Sequence, residues 1–106
     1  MGKEVARKDS VDSVFSPDGT GKNCNFPTTQ STSKGSDDVF VNGTGAVRQG
    51  DAMKVHAGPG CPPHAPVLSS FSSTVFVNGK GIGRKGDTYG GNHPILTGSS
   101  NVFAGD

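Results

Sequence analysis

Apolar and polar residues alternate along this chain only in brief runs, and the clearest run occurs twice, as Val39-Phe40-Val41-Asn42-Gly43 and Val75-Phe76-Val77-Asn78-Gly79. In each, the β-branched residues take one face and the ring takes the other, the period of two expected of a strand. Asn-Gly directly after such a run tolerates positive φ at both positions and predicts a tight hairpin turn. Ala46-Val47-Arg48 and Ile82-Gly83-Arg84 are then expected to return as the partner strands, until Gly50-Asp51 and Gly86-Asp87 break them. No window sustains an apolar period of about 3.6 residues, because Gly or Pro interrupts nearly every candidate, so no helix is expected.

The two copies, residues 39–51 and 75–87, have fainter counterparts at the chain ends. Gly2 to Asp9 resembles the second half of a unit, and Asn101-Val102-Phe103 resembles the first. Read circularly, the halves make a third hairpin. The expectation is a single all-β domain over residues 1–106, in which three similar hairpins related by pseudo-threefold symmetry are joined by irregular segments at 10–38, 52–74 and 88–101. Each segment ends in small hydroxylic residues before Val-Phe, in "KGSDDVF", "SFSSTVF" and "TGSSNVF", which predicts a turn feeding the strand.

Composition adds a constraint. Hydrophobic residues are 30% of the 106, with 17 Gly and no Trp, so the core must be thin, and small domains of this kind usually need a staple. The net charge of +1, with acids and bases interspersed, argues against a nucleic-acid surface. The start "MGKEVARKDS" lacks the apolar core of a signal peptide, and no stretch approaches the roughly 18 apolar residues of a membrane span, so synthesis and folding in cytoplasm are expected. In a reducing compartment, Cys24 and Cys61 are expected to serve as thiolate ligands rather than to pair.

The candidate ligands Cys24, His56, Cys61, His64 and His93 all fall in the irregular segments. If those segments converge, Cys24 from the first, His56 and His64 from the second and His93 from the third can surround one ion, and four such ligands suit tetrahedral zinc, with iron as the alternative. The bland reading makes the histidines surface residues and the cysteines small buried hydrophobes. Against it stands the thin core, since structural zinc contributes on the order of 10 kcal/mol in small peptides. Arg48 and Arg84, each followed by Asp51 or Asp87, either form pairs or stand as solvent-exposed charges, and exposure is the expectation. Glu4 is the sole Glu, and neither a His-Glu-x-x-His helix nor a Gly-x-Ser-x-Gly elbow is present, so no enzyme is expected.

The unit of strand, Asn-Gly-Lys, small residues, Arg, spacer and Gly-Asp before a ligand-bearing loop resembles the PAAR-repeat family over nearly the whole chain. Glu4-Val5-Ala6-Arg7, Gly45-Ala46-Val47-Arg48 and Gly81-Ile82-Gly83-Arg84 stand where the family has Pro-Ala-Ala-Arg, and Arg alone is kept throughout. The resemblance implies a small β-cone whose base caps a homotrimeric β-helical spike, one copy per trimer, and whose point carries a structural zinc held by three histidines and a cysteine. By position those ligands are Cys24, His56, His64 and His93, with Cys61 as an alternative to His56. Such tips arm contractile injection machines and meet the target envelope first. The long first segment and the lost Pro-Ala pairs look more like a phage tail baseplate tip, carried in the virion, than a type VI secretion tip. A metal-free β assembly module is the remaining alternative. The opening unit also departs from the pattern, because it lacks the Gly of Gly-Asp.

Overall fold

The computed structural model describes residues 2–17, 27–56 and 63–105. Its strands are short: β1 (Lys3–Glu4), β2 (Ser13–Ser16), β3 (Thr28–Ser31), β4 (Phe40–Val41), β5 (Thr44–Gly45), β6 (Phe76–Val77), β7 (Lys80–Gly81), β8 (Thr88–Tyr89), β9 (His93–Pro94) and β10 (Phe103–Ala104). All pair antiparallel, as β1–β10, β2–β3, β4–β5, β6–β7 and β8–β9. The described residues are therefore all-β, built of small hairpins, and no helix occurs among them.

Asn-Gly makes the turns that the sequence predicts. Asn42 and Gly43 sit at φ 53° and 83°, and Asn78 and Gly79 at 54° and 77°. The partner strand differs from expectation. A two-residue turn forces Val41 to face Thr44 and Phe40 to face Gly45, so the return strand is Thr44–Gly45 rather than Ala46–Arg48. In the second hairpin Lys80–Gly81 replaces Ile82–Arg84 for the same reason. The displaced tripeptides join the hairpins to one another instead, through single bridges Arg7↔Ala46, Arg48↔Ile82 and Val5↔Arg84. At the centre, Ala6 N–H donates to Gly83 O at 3.0 Å, Gly83 N–H to Val47 O at 2.8 Å, and Val47 N–H to Ala6 O at 3.0 Å, closing a ring. The third hairpin forms from the two half-units, with Lys3 opposite Ala104 and Glu4 opposite Phe103.

Each hairpin is locked in the same manner. Ser36, Ser72 and Ser99 are fully buried, and their hydroxyls accept backbone N–H groups two and three residues on. These are the turns expected before Val-Phe. The arginines, expected to be solvated, are instead clamped. Arg48 Nε lies 2.9 Å from Asp51 Oδ2, Arg84 Nε 2.9 Å from Asp87 Oδ2, and Arg7 Nε 3.0 Å from Asp12 Oδ2. Each aspartate also accepts the backbone N–H of its own arginine. Burying a carboxylate demands such compensation, and a bidentate guanidinium plus an amide supplies it. In the first unit the partner is Asp12, not Asp9. Two extra residues intervene, and Asp9 and Ser10 take φ 60° and 65° where the other units use Gly50 and Gly86 at 82° and 92°.

After each clamped aspartate a strand leaves the ring, at β2, at residues 52–56 and at β8, and each returns as β3, residues 64–68 or β9. The segments expected to be irregular are thus partly paired. Their strands escaped notice because alternation there is mostly polar: in Ser13–Ser16, Val14 and Ser16 face inward while Phe15 faces out. Bridge Ala52↔Val67 closes the middle hairpin, and bridges Thr32↔Met53, Leu68↔Tyr89 and Val14↔Ile95 link neighbouring hairpins, so the ladder runs back to where it began. Its interior packs Val14, Met53, Leu68, Tyr89 and Ile95 against Ala6 and Val47. A second cluster, Val5, Val41, Ala46, Val77, Ile82 and Ala104, underlies the first set of hairpins. At about 1.5–3 kcal/mol for each large aliphatic side chain fully buried, both clusters are modest. Tyr89, fully buried, has no hydrogen-bond partner for its hydroxyl among the described residues, and burial, then the charges of Asp51 and Asp12, push its phenol up. The principal extents are 39 × 26 × 21 Å, an elongated body.

Candidate metal centre

His56 and His64 are the last paired residues before and after the chain segment that links them. Their backbones exchange two hydrogen bonds, His56 N–H to His64 O at 3.0 Å and His64 N–H to His56 O at 3.1 Å. Directly opposed strand residues place their side chains on one face, which brings the two rings together. His93 opens β9 and faces Tyr89 across the turn Gly90-Gly91-Asn92. Gly90 and Gly91, at φ 60° and 83°, permit that tight reversal.

The outcome is a cluster of three imidazoles. Ring centroids are 4.5 Å apart for His56–His64, 5.3 Å for His56–His93 and 5.7 Å for His64–His93. One ring nitrogen from each lies within 4.8 Å of the others. A tetrahedral ion bound at ~2.0–2.1 Å holds its ligand nitrogens roughly 3.4 Å apart, so small ring rotations close the difference. His56 and His93 are buried, with 3% and 1% exposure, whereas His64 is exposed. His56 Nδ1 lies 2.8 Å from the Lys54 carbonyl, and His93 Nδ1 lies 2.6 Å from Asn92 Oδ1. An oxygen without a proton can only accept, so both Nδ1 atoms donate, which in a neutral ring leaves the lone pair on Nε2. That is the tautomer of a histidine prepared to ligate through Nε2. The residues present fit a borderline cation such as zinc.

Of the four ligands expected from sequence, the structure brings His56, His64 and His93 together. Cys24 lies outside the described residues, as does Cys61, the alternative to His56. His56 itself stands in the cluster. Sequence reasoning did not single out Asn92 or the Lys54 carbonyl, although an Asn directly before a candidate His in a Gly-Gly turn was a readable signal. Elsewhere, a polar cleft of about 430 Å³ is lined by residues including Lys8, Lys34, Asp37, Arg48 and Asp51. Two of its cations face acids of their own, Lys8 at 2.8 Å from Asp37 and Arg48 bound to Asp51. No helix of the chain is long and apolar enough to cross a membrane among the described residues.

Comparison with protein-family models and with curated protein sequences gives no match to this chain. What the fold and site define is a small all-β domain with a histidine cluster able to hold a metal ion.

Proposed function

We propose that this chain is a PAAR-like tip: a pseudo-threefold β-cone that caps the end of a homotrimeric β-helical spike and is tied at its point by one structural metal ion. The observation that carries the reading is a phenylalanine exposed at the same place in three hairpins. Phe40, Phe76 and Phe103 occupy equivalent places in the hairpins and are 58%, 58% and 54% exposed. A lone exposed ring needs no explanation, but three matched rings fit a partner that presents the same edge three times. One chain thereby meets three. The central ring of backbone hydrogen bonds and the three Arg–Asp clamps support the same symmetry.

At the other set of hairpins the metal would be held by His56, His64 and His93, with Cys24 as the fourth ligand. Its role there is to tie strands that bury little apolar surface, in a closed coordination shell, with zinc favoured and iron the alternative. Such a point transmits the thrust of a contracting sheath without fraying. The placement as a phage baseplate tip in the virion, rather than a type VI secretion tip, rests on the long first segment. The part carries no catalytic step.

The test uses protein purified without added metal. Elemental analysis should find about one zinc or iron per chain, and one copy should co-migrate with a trimeric β-helical spike. Phe40→Asp combined with Phe76→Asp should abolish that co-migration and leave metal content unchanged. Metal-free protein that ignores such trimers would overturn the proposal and leave the assembly-module alternative.

A further inference from the structure

An imidazole ligates through one nitrogen, and what the other nitrogen bonds decides which one it is and how strongly it binds. In the histidine cluster this second contact is met in two ways. For His56 it is the backbone carbonyl of Lys54, which no substitution removes. For His93 it is a side chain, Asn92 Oδ1, at 2.6 Å.

Asn92 is itself held firmly. Its N–H donates to Tyr89 O at 3.3 Å, the Gly91 N–H donates to Ser69 Oγ at 3.1 Å, and the Gly90 N–H donates to Val67 O at 2.9 Å. The turn is pinned on the neighbouring strand as well as on its own. His93, 1% exposed, cannot reach bulk water as a substitute acceptor. The amide oxygen is thus the acceptor that faces Nδ1 of His93.

We propose that Asn92 is a positioning residue of the metal centre: its side-chain oxygen holds His93 with Nδ1 protonated and Nε2 aimed at the ion, without itself touching the metal. The role rests on the metal-binding reading above. Because an amide oxygen is a weaker acceptor than a carboxylate, the contact makes His93 a moderately basic ligand, and Asp at this place would make it a stronger one.

The experiment loads wild type, Asn92→Ala and Asn92→Asp with zinc and measures transfer of the ion to a chromophoric chelator. Asn92→Ala should bind zinc about 10–100-fold more weakly, the usual cost of losing an outer-shell partner. Asn92→Asp should bind at least as tightly as wild type. In parallel, two-bond proton–nitrogen spectra of the imidazoles in the metal-free proteins should show the Nδ1-protonated form of His93 in wild type and Asn92→Asp, and a mixture in Asn92→Ala. A residue that merely shapes the turn would alter thermal stability in both variants and leave zinc affinity alone. The proposal is overturned if Asn92→Ala lies within about twofold of wild type, since an outer-shell partner is worth about tenfold or more. It is equally overturned if Asn92→Asp is as weak as Asn92→Ala. A wild-type protein that takes up no zinc fails at an earlier step, because it refutes the metal reading itself.

Discussion

Side-chain chemistry in this protein is concentrated in a few repeated contacts, and small differences between the repeats have measurable consequences. Asn42 and Asn78 both sit at hairpin turns, and each accepts hydrogen bonds on Oδ1 from an arginine and a serine of neighbouring units. Their Nδ2 atoms differ. Asn42 donates to Asn101 Oδ1 at 2.8 Å, whereas Asn78 donates to the Asp38 carboxylate at 3.0 Å. That hydrogen bond holds the Asp38 carboxyl below its usual range. A depressed carboxyl contributes stability above its unfolded value of 3.8 and loses it as pH falls through the lower folded value. Asn78→Asp places two carboxylates face to face, while Asn42→Asp meets an amide that can turn to donate. Thermal melts at neutral pH should therefore show Asn78→Asp clearly less stable than Asn42→Asp. The gap should shrink as pH drops below about 4, where carboxylates take up protons. Equal midpoints across that range would contradict the assigned network.

Hairpins are the elements from which the molecule is assembled, and two glycines of the β4–β5 hairpin show how differently the same residue type can be required. Gly43 needs its left-handed backbone, at φ 83°, but a Cβ there would meet open space. Gly43→Ala should cost about 1–2 kcal/mol, the price of that conformation for an L-residue. Gly45 has ordinary dihedrals, yet a Cβ there would overlap the Ser36 carbonyl and the Lys8 side chain. Since a carbonyl in a hydrogen-bonded turn cannot retreat, urea denaturation should rank Gly45→Ala as the more damaging of the two. The sequence pattern made the role of Gly43 plain, because Asn-Gly after an alternating run is a local signal. Nothing local marks Gly45. Its requirement comes from a neighbouring segment that arrives only on folding.

For the molecule as a whole, the decisive feature is that the chain ends complete a hairpin. β1 and β10 occupy the place that β4–β5 and β6–β7 hold in the other units, with Gly105 O accepting from Arg84 Nη1 at 3.1 Å much as Asn42 and Asn78 accept from Arg7 and Arg48. The three strand pairs are alike in their antiparallel register. A circular permutant with its ends placed between Asn42 and Gly43, and with the present ends joined, should fold to the same far-ultraviolet circular dichroism. Closely approaching termini make such rearrangements tolerable. A permutant recovered only as aggregate, alongside one opened at Asn78–Gly79 that behaves the same way, would show that the halves are not equivalent.

Three things were determined by the sequence alone: the all-β class, the Asn-Gly turns, and the circular completion of a third hairpin, each readable because strand alternation and turn chemistry act over a handful of neighbouring residues. Tertiary structure decided what depends on distant segments meeting. It turned Ala46–Arg48 and Ile82–Arg84 from return strands into links between units, and it clamped Arg7, Arg48 and Arg84 against the buried carboxylates of Asp12, Asp51 and Asp87. It also gathered His56, His64 and His93 into reach of one ion and set Asn92 and Lys54 behind two of them. Spacing along a chain constrains near neighbours only. Whether a charge is solvated or a ring nitrogen is aimed at its companions depends on which surfaces close over it.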